Sequence, residues 1–245
     1  VILTAESSFH GRTLAAISAT GQPNYHKGFE PLVQGFEFFK YNDFASFESI
    51  LHKLESNGPR VAAVLIEPIQ GEGGINIGDK TFFQQLKKRC KQKGILLIFD
   101  EVQTGMGRCG YFWGYEHLGI EPDAFTIAKG LGGGHAVGAL MVKQHADLFE
   151  PGEHASTFGG NPFACTASLT VAKEIERRNL LLQVRQRGEQ LEKGLKKLVH
   201  HFPEHIEQTR GLGLIQGLVL QPNSALTAQN FAQTALKAKL LVVSA

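Results

Sequence analysis

The stretch that decides the fold is Ile95-Leu96-Leu97-Ile98-Phe99-Asp100-Glu101-Val102-Gln103, where a short apolar run ends directly in two acids. A bounded apolar run of this length is typical of a buried strand, and it is far below the roughly 20 residues that a membrane helix needs. Similar runs recur at Val1–Ala5, Val61–Glu67, Ala124–Ala128 and Val137–Val142. Together these runs predict the strands of one sheet.

Amphipathic helical stretches separate these strands. Asp43–Ser56 and Asp79–Lys93 each begin with an Asp that can cap a helix, and Gly94 supplies a stop signal. A longer helical stretch runs from Pro162 to about His201, with a break expected at Asn179. Strands that alternate with helices predict an α/β fold, in which a mostly parallel sheet is sandwiched by helices.

A change of pattern after Pro203 predicts a second unit. Residues 1–205 are expected to form a large domain, and residues 206–245 the beginning of a smaller, incomplete α+β domain. The chain opens without Met and starts and stops in strand-like runs, so we expect the middle of a longer protein.

Composition limits the class of function. The chain has 245 residues, 42% of them hydrophobic, and a net charge of +2, which gives no electrostatic reason to expect nucleic acid or an anionic membrane as a partner. Its three cysteines, Cys90, Cys109 and Cys165, form no C-x-x-C pair, so we expect a reducing, cytoplasmic compartment and assign no residue to a metal. Small-molecule chemistry is the favoured class.

Two charged residues end successive predicted strands. Asp100 follows one apolar run, and Lys129 follows Ala124–Ala128 and precedes a glycine-rich stretch. Ligands of parallel sheets bind at the carboxyl ends of the strands, so both side chains can face one crevice. Taken alone, Asp100 could cap a loop and Lys129 could point to solvent. As a pair they are what a pyridoxal phosphate site needs: a Lys for the Schiff base and an acid that keeps the pyridine nitrogen protonated.

Two further acids flank the start of a glycine-rich turn: Glu67 ends the strand-like run Val61–Glu67, and Glu72 follows five residues later. They are compatible with a glycosidase-like acid/base pair, with a cation-binding rim or with a solvated loop. The local sequence does not choose among these three.

An alternative from another class rests on Gly105–Gly110, which matches G-x-G-x-x-G and is followed by Asp123 at about the spacing of a ribose-binding acid. It predicts a dinucleotide-binding oxidoreductase. Against it, Gly105 lies well beyond the end of its strand, and the aromatic run at Tyr111–Trp113 is a poor first helical turn.

Five motifs in this order and spacing resemble the class III pyridoxal-phosphate aminotransferases. This resemblance covers almost the whole chain and implies fold type I, a pyridoxal 5'-phosphate cofactor and transamination. The five motifs are Ser8–Thr13, Glu67–Gly74, Asp100–Gly105, Ala128–Gly134 and Ser156–Pro162.

The resemblance also implies roles for single residues. Lys129 would be the catalytic lysine, bonded to the cofactor and later carrying a proton, and Asp100 would face the pyridine nitrogen. Phe9 and Val102 would sandwich the ring, and Gln103 would lie near its 3-hydroxyl. The complete set implied for the cofactor is Phe9, Asp100, Glu101, Val102, Gln103, Lys129 and Thr157.

For substrates, the resemblance implies Arg12 as the carboxylate-binding residue and Glu72 as an acid that swings away from an arginine. Ser156 and Thr157 would reach the active site of a neighbouring subunit, so an obligate homodimer with shared active sites is expected. The complete substrate set is Arg12, Glu67, Glu72 and Ser156.

The implied reaction is transfer of an amino group from N-acetylornithine to 2-oxoglutarate. Ornithine, 4-aminobutyrate and succinyldiaminopimelate remain open as donors, because Arg12 cannot distinguish them. The family's earlier Gly-Thr turn for the phosphate and its later Arg are missing from these residues. A catalytically inert fragment therefore also remains open.

Overall fold

The computed structural model describes residues 1–245 apart from the side chain of Asn57. Strands and helices alternate through the first two thirds of the chain. The strands are β1 Ile2–Ala5, β2 Phe36–Phe39, β3 Ala63–Ile66, β4 Ile69–Gln70, β5 Asn76–Ile77, β6 Leu96–Asp100, β7 Ala124–Ile127, β8 Ala139–Val142, β9 Ile206–Leu212 and β10 Ile215–Leu220. The helices are α1 Leu14–Ala19, α2 Phe44–Asn57, α3 Lys80–Lys93, α4 Pro162–Arg177, α5 Leu180–His201 and α6 Ala228–Lys237.

Six strands form the central sheet in the order β2-β1-β3-β6-β7-β8. Strands β2, β1, β3, β6 and β7 are mutually parallel, which confirms the predicted α/β class. Two details differ from the sequence-based expectation. The short strand β2 was not predicted, and β8 runs antiparallel to β7. The segment between β7 and β8 contains no crossover helix, and a parallel return would need one.

The predicted helix boundaries are confirmed by their caps. Asp43 accepts a hydrogen bond from the Ser46 N–H and thereby caps α2, and Asp79 caps α3 in the same way. Gly94 ends α3 in the left-handed conformation with φ of 65°. Asn179, also left-handed with φ of 49°, separates α4 from α5 at the predicted break.

An apolar core fixes β6 against the helices on one face of the sheet. Phe99 of β6 is fully buried and meets Phe83 of α3 edge to face, with ring centroids 5.6 Å apart. Phe39 of β2 and Phe47 of α2 form a similar buried pair at 5.5 Å. Such aromatic pairs add to the hydrophobic effect, and the Phe99–Phe83 pair packs the strand that ends in Asp100 against α3.

The last part of the chain contains an antiparallel hairpin of β9 and β10, followed by α6. The hairpin packs on α5, where Gly188 allows close approach: a Cβ on it would lie 2.6 Å from the Gly213 carbonyl oxygen. Within the described residues, no helix is both long and apolar enough to cross a bilayer.

Candidate active site

The ends of β6 and β7 bring the two key charged residues to one edge of the sheet. These strands are parallel neighbours in which Asp100 is paired with Thr126, and Lys129 follows β7 after Ala128. Lys129 has φ of 43°, an uncommon left-handed conformation for a non-glycine residue. Such a conformation costs energy and persists only where the surrounding structure holds it. Residues of this kind cluster at functional sites.

Asp100 is a nearly buried carboxylate with defined partners. Its Oδ2 atom lies 2.9 Å from Nδ1 of His10, whose side chain is only 2% exposed. Its Oδ1 atom accepts hydrogen bonds from the Val102 N–H at 3.1 Å and from the Thr126 hydroxyl at 3.3 Å. These contacts fix the orientation of the carboxylate.

Buried hydroxyl groups hold the other side of His10. Its Nε2 atom lies 3.1 Å from the Thr4 hydroxyl, which lies 3.2 Å from the Ser8 hydroxyl. Both hydroxyl-bearing side chains are fully buried. His10, Thr4 and Thr126 were not singled out from the sequence. The sequence offered two hints: His10 lies inside the motif Ser8–Thr13, and Thr4 and Thr126 each lie inside a strand-like run.

Glu101, the residue after Asp100, is bound by the loop that follows β6. Its carboxylate accepts hydrogen bonds from the Thr104 hydroxyl, the Gly114 N–H and the Tyr115 N–H. Burial raises the pKa of Glu101 to about 7, and the three donors oppose that shift. Through these three hydrogen bonds, Glu101 positions the loop after β6.

A cavity of about 430 Å³ lies in front of Lys129. Val102, Gln103 and Glu72 are among its lining residues, together with Arg108. Gln103 donates a hydrogen bond to Glu72 over 2.9 Å. The cavity has the size of a typical small-molecule site, and it brings together four of the residues predicted from the sequence.

Gly71 gives the Gln103 amide the room for this contact. A Cβ at Gly71 would lie 2.3 Å from the Gln103 Oε1 atom, a distance that real side chains do not adopt. Any larger residue at Gly71 would therefore displace the Gln103 amide from Glu72.

The loop after β1 carries Phe9 and Arg12. The Phe9 ring meets the Tyr25 ring edge to face, with centroids 5.3 Å apart. The Arg12 guanidinium carbon lies 4.4 Å from the Tyr25 centroid and 5.5 Å from that of Phe9. Tyr25 is a further residue that sequence reasoning missed. Within the described part of the chain, Arg12 pairs with no acid.

Glu67 is buried beneath this loop. Its Oε2 atom accepts a hydrogen bond from the Phe9 N–H at 3.1 Å. Burial raises the pKa of the Glu67 carboxyl well above its usual range, and the negative charge of Asp100 adds to the shift. Among the described residues, no group of three or more His, Cys, Asp and Glu side chains is placed to hold a metal ion.

Ser156 and Thr157 lie apart from the other predicted site residues. Both are exposed, in the loop that precedes α4, and neither lines the cavity. Within this single chain the structure does not bring them to Lys129.

The dinucleotide alternative is not supported by the geometry. Gly105–Gly110 lies in turns, and the next element is a short 3₁₀-helix at Gly114–Leu118, so no α-helix begins where a pyrophosphate would bind. Asp123 directly precedes β7 and therefore lies at the opposite end of that strand from Lys129. Its carboxylate is occupied by Lys87 at 2.6 Å and by the Leu97 N–H at 2.8 Å.

Comparisons with known proteins agree on one family. The sequence profile of Aminotransferase class-III matches residues 1–245. Acetylornithine aminotransferase of Prochlorococcus marinus (strain MIT 9313) is 70% identical over 245 residues, which are all of this chain and 59% of that protein. The enzyme of the same name from Parasynechococcus marenigrum (strain WH8102) is 63% identical over 244 residues, or 58% of its length. The chain thus spans about three fifths of these relatives.

Solved structures give the same grouping. The ornithine aminotransferase of Toxoplasma gondii ME49 superposes with a TM-score of 0.89 at 29% identity, covering 98% of this chain and 56% of that one. A PLP-bound amine transaminase from an uncultivated Pseudomonas species gives a TM-score of 0.90 at 27% identity, covering 99% and 62%.

Proposed function

The chain belongs to the class III aminotransferases, and from this membership we propose that the full-length protein transfers an amino group from N-acetylornithine to 2-oxoglutarate with pyridoxal phosphate as cofactor. Its mainly parallel sheet and its TM-scores with solved transaminases confirm the predicted fold type I architecture. One observation carries the proposal: Asp100, held by His10, ends the strand next to the one that leads to Lys129.

The residues present fit pyridoxal phosphate. The Asp100 carboxylate is only about a tenth exposed. Burial of a carboxylate is costly unless it meets a cationic partner, and a protonated ring nitrogen is such a partner. Lys129 opens onto a cavity of small-molecule size, and Val102 gives that cavity an apolar wall. A lysine, an acid and an apolar surface are the groups that a pyridoxal phosphate site requires.

When bound, the cofactor supplies an electron sink for the carbanion formed at the substrate. Asp100 would hold the proton on the ring nitrogen, and His10 would fix the orientation of that carboxylate. Lys129 provides the amine for covalent attachment and carries a proton on its Nζ atom. Phe9 and Val102 are proposed to contact the two ring faces.

We assign substrate binding to Arg12, Glu72, Glu67 and Ser156. The Arg12 guanidinium suits a carboxylate because its N–H groups form a planar fork. Glu72 is engaged by Gln103 and can be displaced without breaking an ion pair. The buried Glu67 fixes the Phe9 backbone, so its contribution to substrate binding is made through that loop.

We further propose that the enzyme is a cytoplasmic homodimer. The exposed Ser156 and Thr157 would complete the site of a second subunit, with the Thr157 hydroxyl at the cofactor phosphate. Residues 1–205 are proposed as the large domain and residues 206–245 as the beginning of the small one. The three free cysteines support a reducing compartment.

The decisive experiment compares kcat/KM of the full-length protein on N-acetylornithine, ornithine, 4-aminobutyrate and succinyldiaminopimelate, with 2-oxoglutarate as acceptor. We expect N-acetylornithine to be preferred, as the names of relatives at 63–70% identity suggest. Preference for unacetylated ornithine would overturn the choice of donor. Absence of transamination with all four amines, alongside binding of a nicotinamide cofactor, would overturn the reaction class.

A further inference from the structure

We propose that Tyr25 is a positioning residue that holds the Arg12 guanidinium in the orientation that receives a substrate carboxylate. This inference rests on the proposed function and deepens it. It assigns a role to a residue outside the five motifs, and it explains how an exposed arginine is ordered before substrate arrives.

The first argument is geometric. The guanidinium carbon of Arg12 lies 4.4 Å above the Tyr25 ring, closer than the 5.5 Å that separates it from the Phe9 ring. Both distances are within cation–π range. The two rings touch each other at 5.3 Å, so they form one aromatic corner in which the guanidinium lies.

The second argument is that Tyr25 has a fixed support. The Gln22 side chain donates hydrogen bonds to the carbonyl oxygens of Ser7 and Ser8, over 3.3 and 3.2 Å. The His26 ring bonds to the Thr20 carbonyl at 2.7 Å. The residues on both sides of Tyr25 are therefore tied down, and on one side they are tied to the loop that carries Phe9 and Arg12.

The third argument concerns which part of Arg12 stays available. A cation–π contact uses the flat face of a guanidinium, whereas a carboxylate binds to the N–H groups at its edge. Tyr25 can therefore orient Arg12 without occupying its donors. An acidic partner would occupy those donors and would compete with the substrate, and no described carboxylate lies within ion-pair distance of Arg12.

The test uses the full-length enzyme and glutarate, a dicarboxylate with neither an amine nor a ketone, so that binding is measured apart from turnover. Tyr25→Leu removes the ring, and we expect the Kd of glutarate to rise about three- to tenfold. Tyr25→Phe keeps the ring and is expected to recover most of this loss. Phe29→Leu, which alters an exposed aromatic residue on the same segment, is the matched control. Tyr25→Gln is the second ring-less variant if the Leu variant does not fold.

A double-mutant cycle separates positioning from a general loosening. In an Arg12→Leu background, Tyr25→Leu should change the Kd of glutarate by less than twofold. An equal loss in both backgrounds would overturn the inference, and so would a Tyr25→Phe variant as weak as Tyr25→Leu. In turnover assays, Tyr25→Leu should raise KM for 2-oxoglutarate more than it lowers kcat. If the wild-type enzyme transaminates none of the amines named above, the proposed function fails, whereas normal transamination with unaltered glutarate binding in Tyr25→Leu removes only this inference.

Discussion

The Oδ2 atom of Asp100 lies 2.9 Å from the Nδ1 atom of His10, and both side chains are almost completely enclosed. The Thr4 hydroxyl lies at the other ring nitrogen of His10. This arrangement favours the tautomer in which Nδ1 carries the proton and donates a hydrogen bond to Asp100, while Nε2 accepts a hydrogen bond from the Thr4 hydroxyl. The histidine thus fixes the orientation of the carboxylate.

The first prediction concerns this pair. His10→Leu leaves the Oδ2 atom of Asp100 without its donor, so we expect kcat/KM to fall roughly ten- to a hundredfold, the effect of losing one hydrogen bond to a charged group. The Kd of pyridoxal phosphate should rise in parallel. His52→Leu, at an exposed position on α2, is the control. Equal activity of the two variants would show that Asp100 needs no support from His10.

The second prediction concerns the lysine. Lys129→Ala should lower turnover by at least about 10³-fold, because proton transfer by a positioned side chain alone contributes up to roughly 10⁴-fold. The variant should still bind pyridoxal phosphate, weakly and without covalent attachment, as measured by dialysis and mass spectrometry. Lys143→Ala, which breaks only a surface pair with Glu121, is the control. Unaltered turnover in the Lys129→Ala variant would refute the assignment of Lys129 as the catalytic lysine.

A third prediction follows from Glu101, whose pKa rises from 4.5 to about 7 on folding because of burial. The folded state then binds more protons than the unfolded state between those two values, so stability falls as pH rises through that window. The effect amounts to roughly 3 kcal/mol. Glu101→Gln cannot ionise and should lose this part of the pH dependence.

The measurement is the free energy of unfolding in urea at pH 5 and pH 8 for the wild type and for Glu101→Gln. The difference between the two proteins should change in favour of the variant as pH rises. Glu207→Gln, at an exposed position on β9, provides the control. A difference that stays constant across the window would mean that Glu101 is ionised throughout.

The sequence predicted those parts of the site that are encoded locally. An apolar run ending in Asp100 and another ending before Lys129 place both residues at strand ends, because burial and strand length are properties of the run itself. The caps at Asp43 and Asp79 were equally local. Helix-capping chemistry involves residues only three positions apart.

What escaped prediction depends on contacts between distant segments. His10 and Asp100 are 90 residues apart, and no pattern in either segment predicts that the two side chains meet. Tyr25 likewise contacts Phe9 and Arg12 only after its segment has folded against their loop. The orientation of Glu101 was accessible in part, since successive residues of a strand point to opposite faces, and that rule separates Glu101 from Asp100.

The last prediction tests whether Thr157 acts in a second subunit. Thr157→Glu would set a negative charge against the cofactor phosphate and should weaken pyridoxal phosphate binding strongly, and Lys129→Ala abolishes turnover. If the sites are shared, a mixed dimer of these two variants has one site with both defects and one site with neither. Mixing the inactive proteins under conditions that exchange subunits should then restore about one quarter of the wild-type activity, because half of the dimers are mixed and each has one intact site. If Thr157 serves its own chain, every site in the mixture keeps one defect and no activity returns. The same mixture of Lys129→Ala with Asp100→Ala is the control: both residues follow neighbouring strands of one chain, so these two variants must not complement each other.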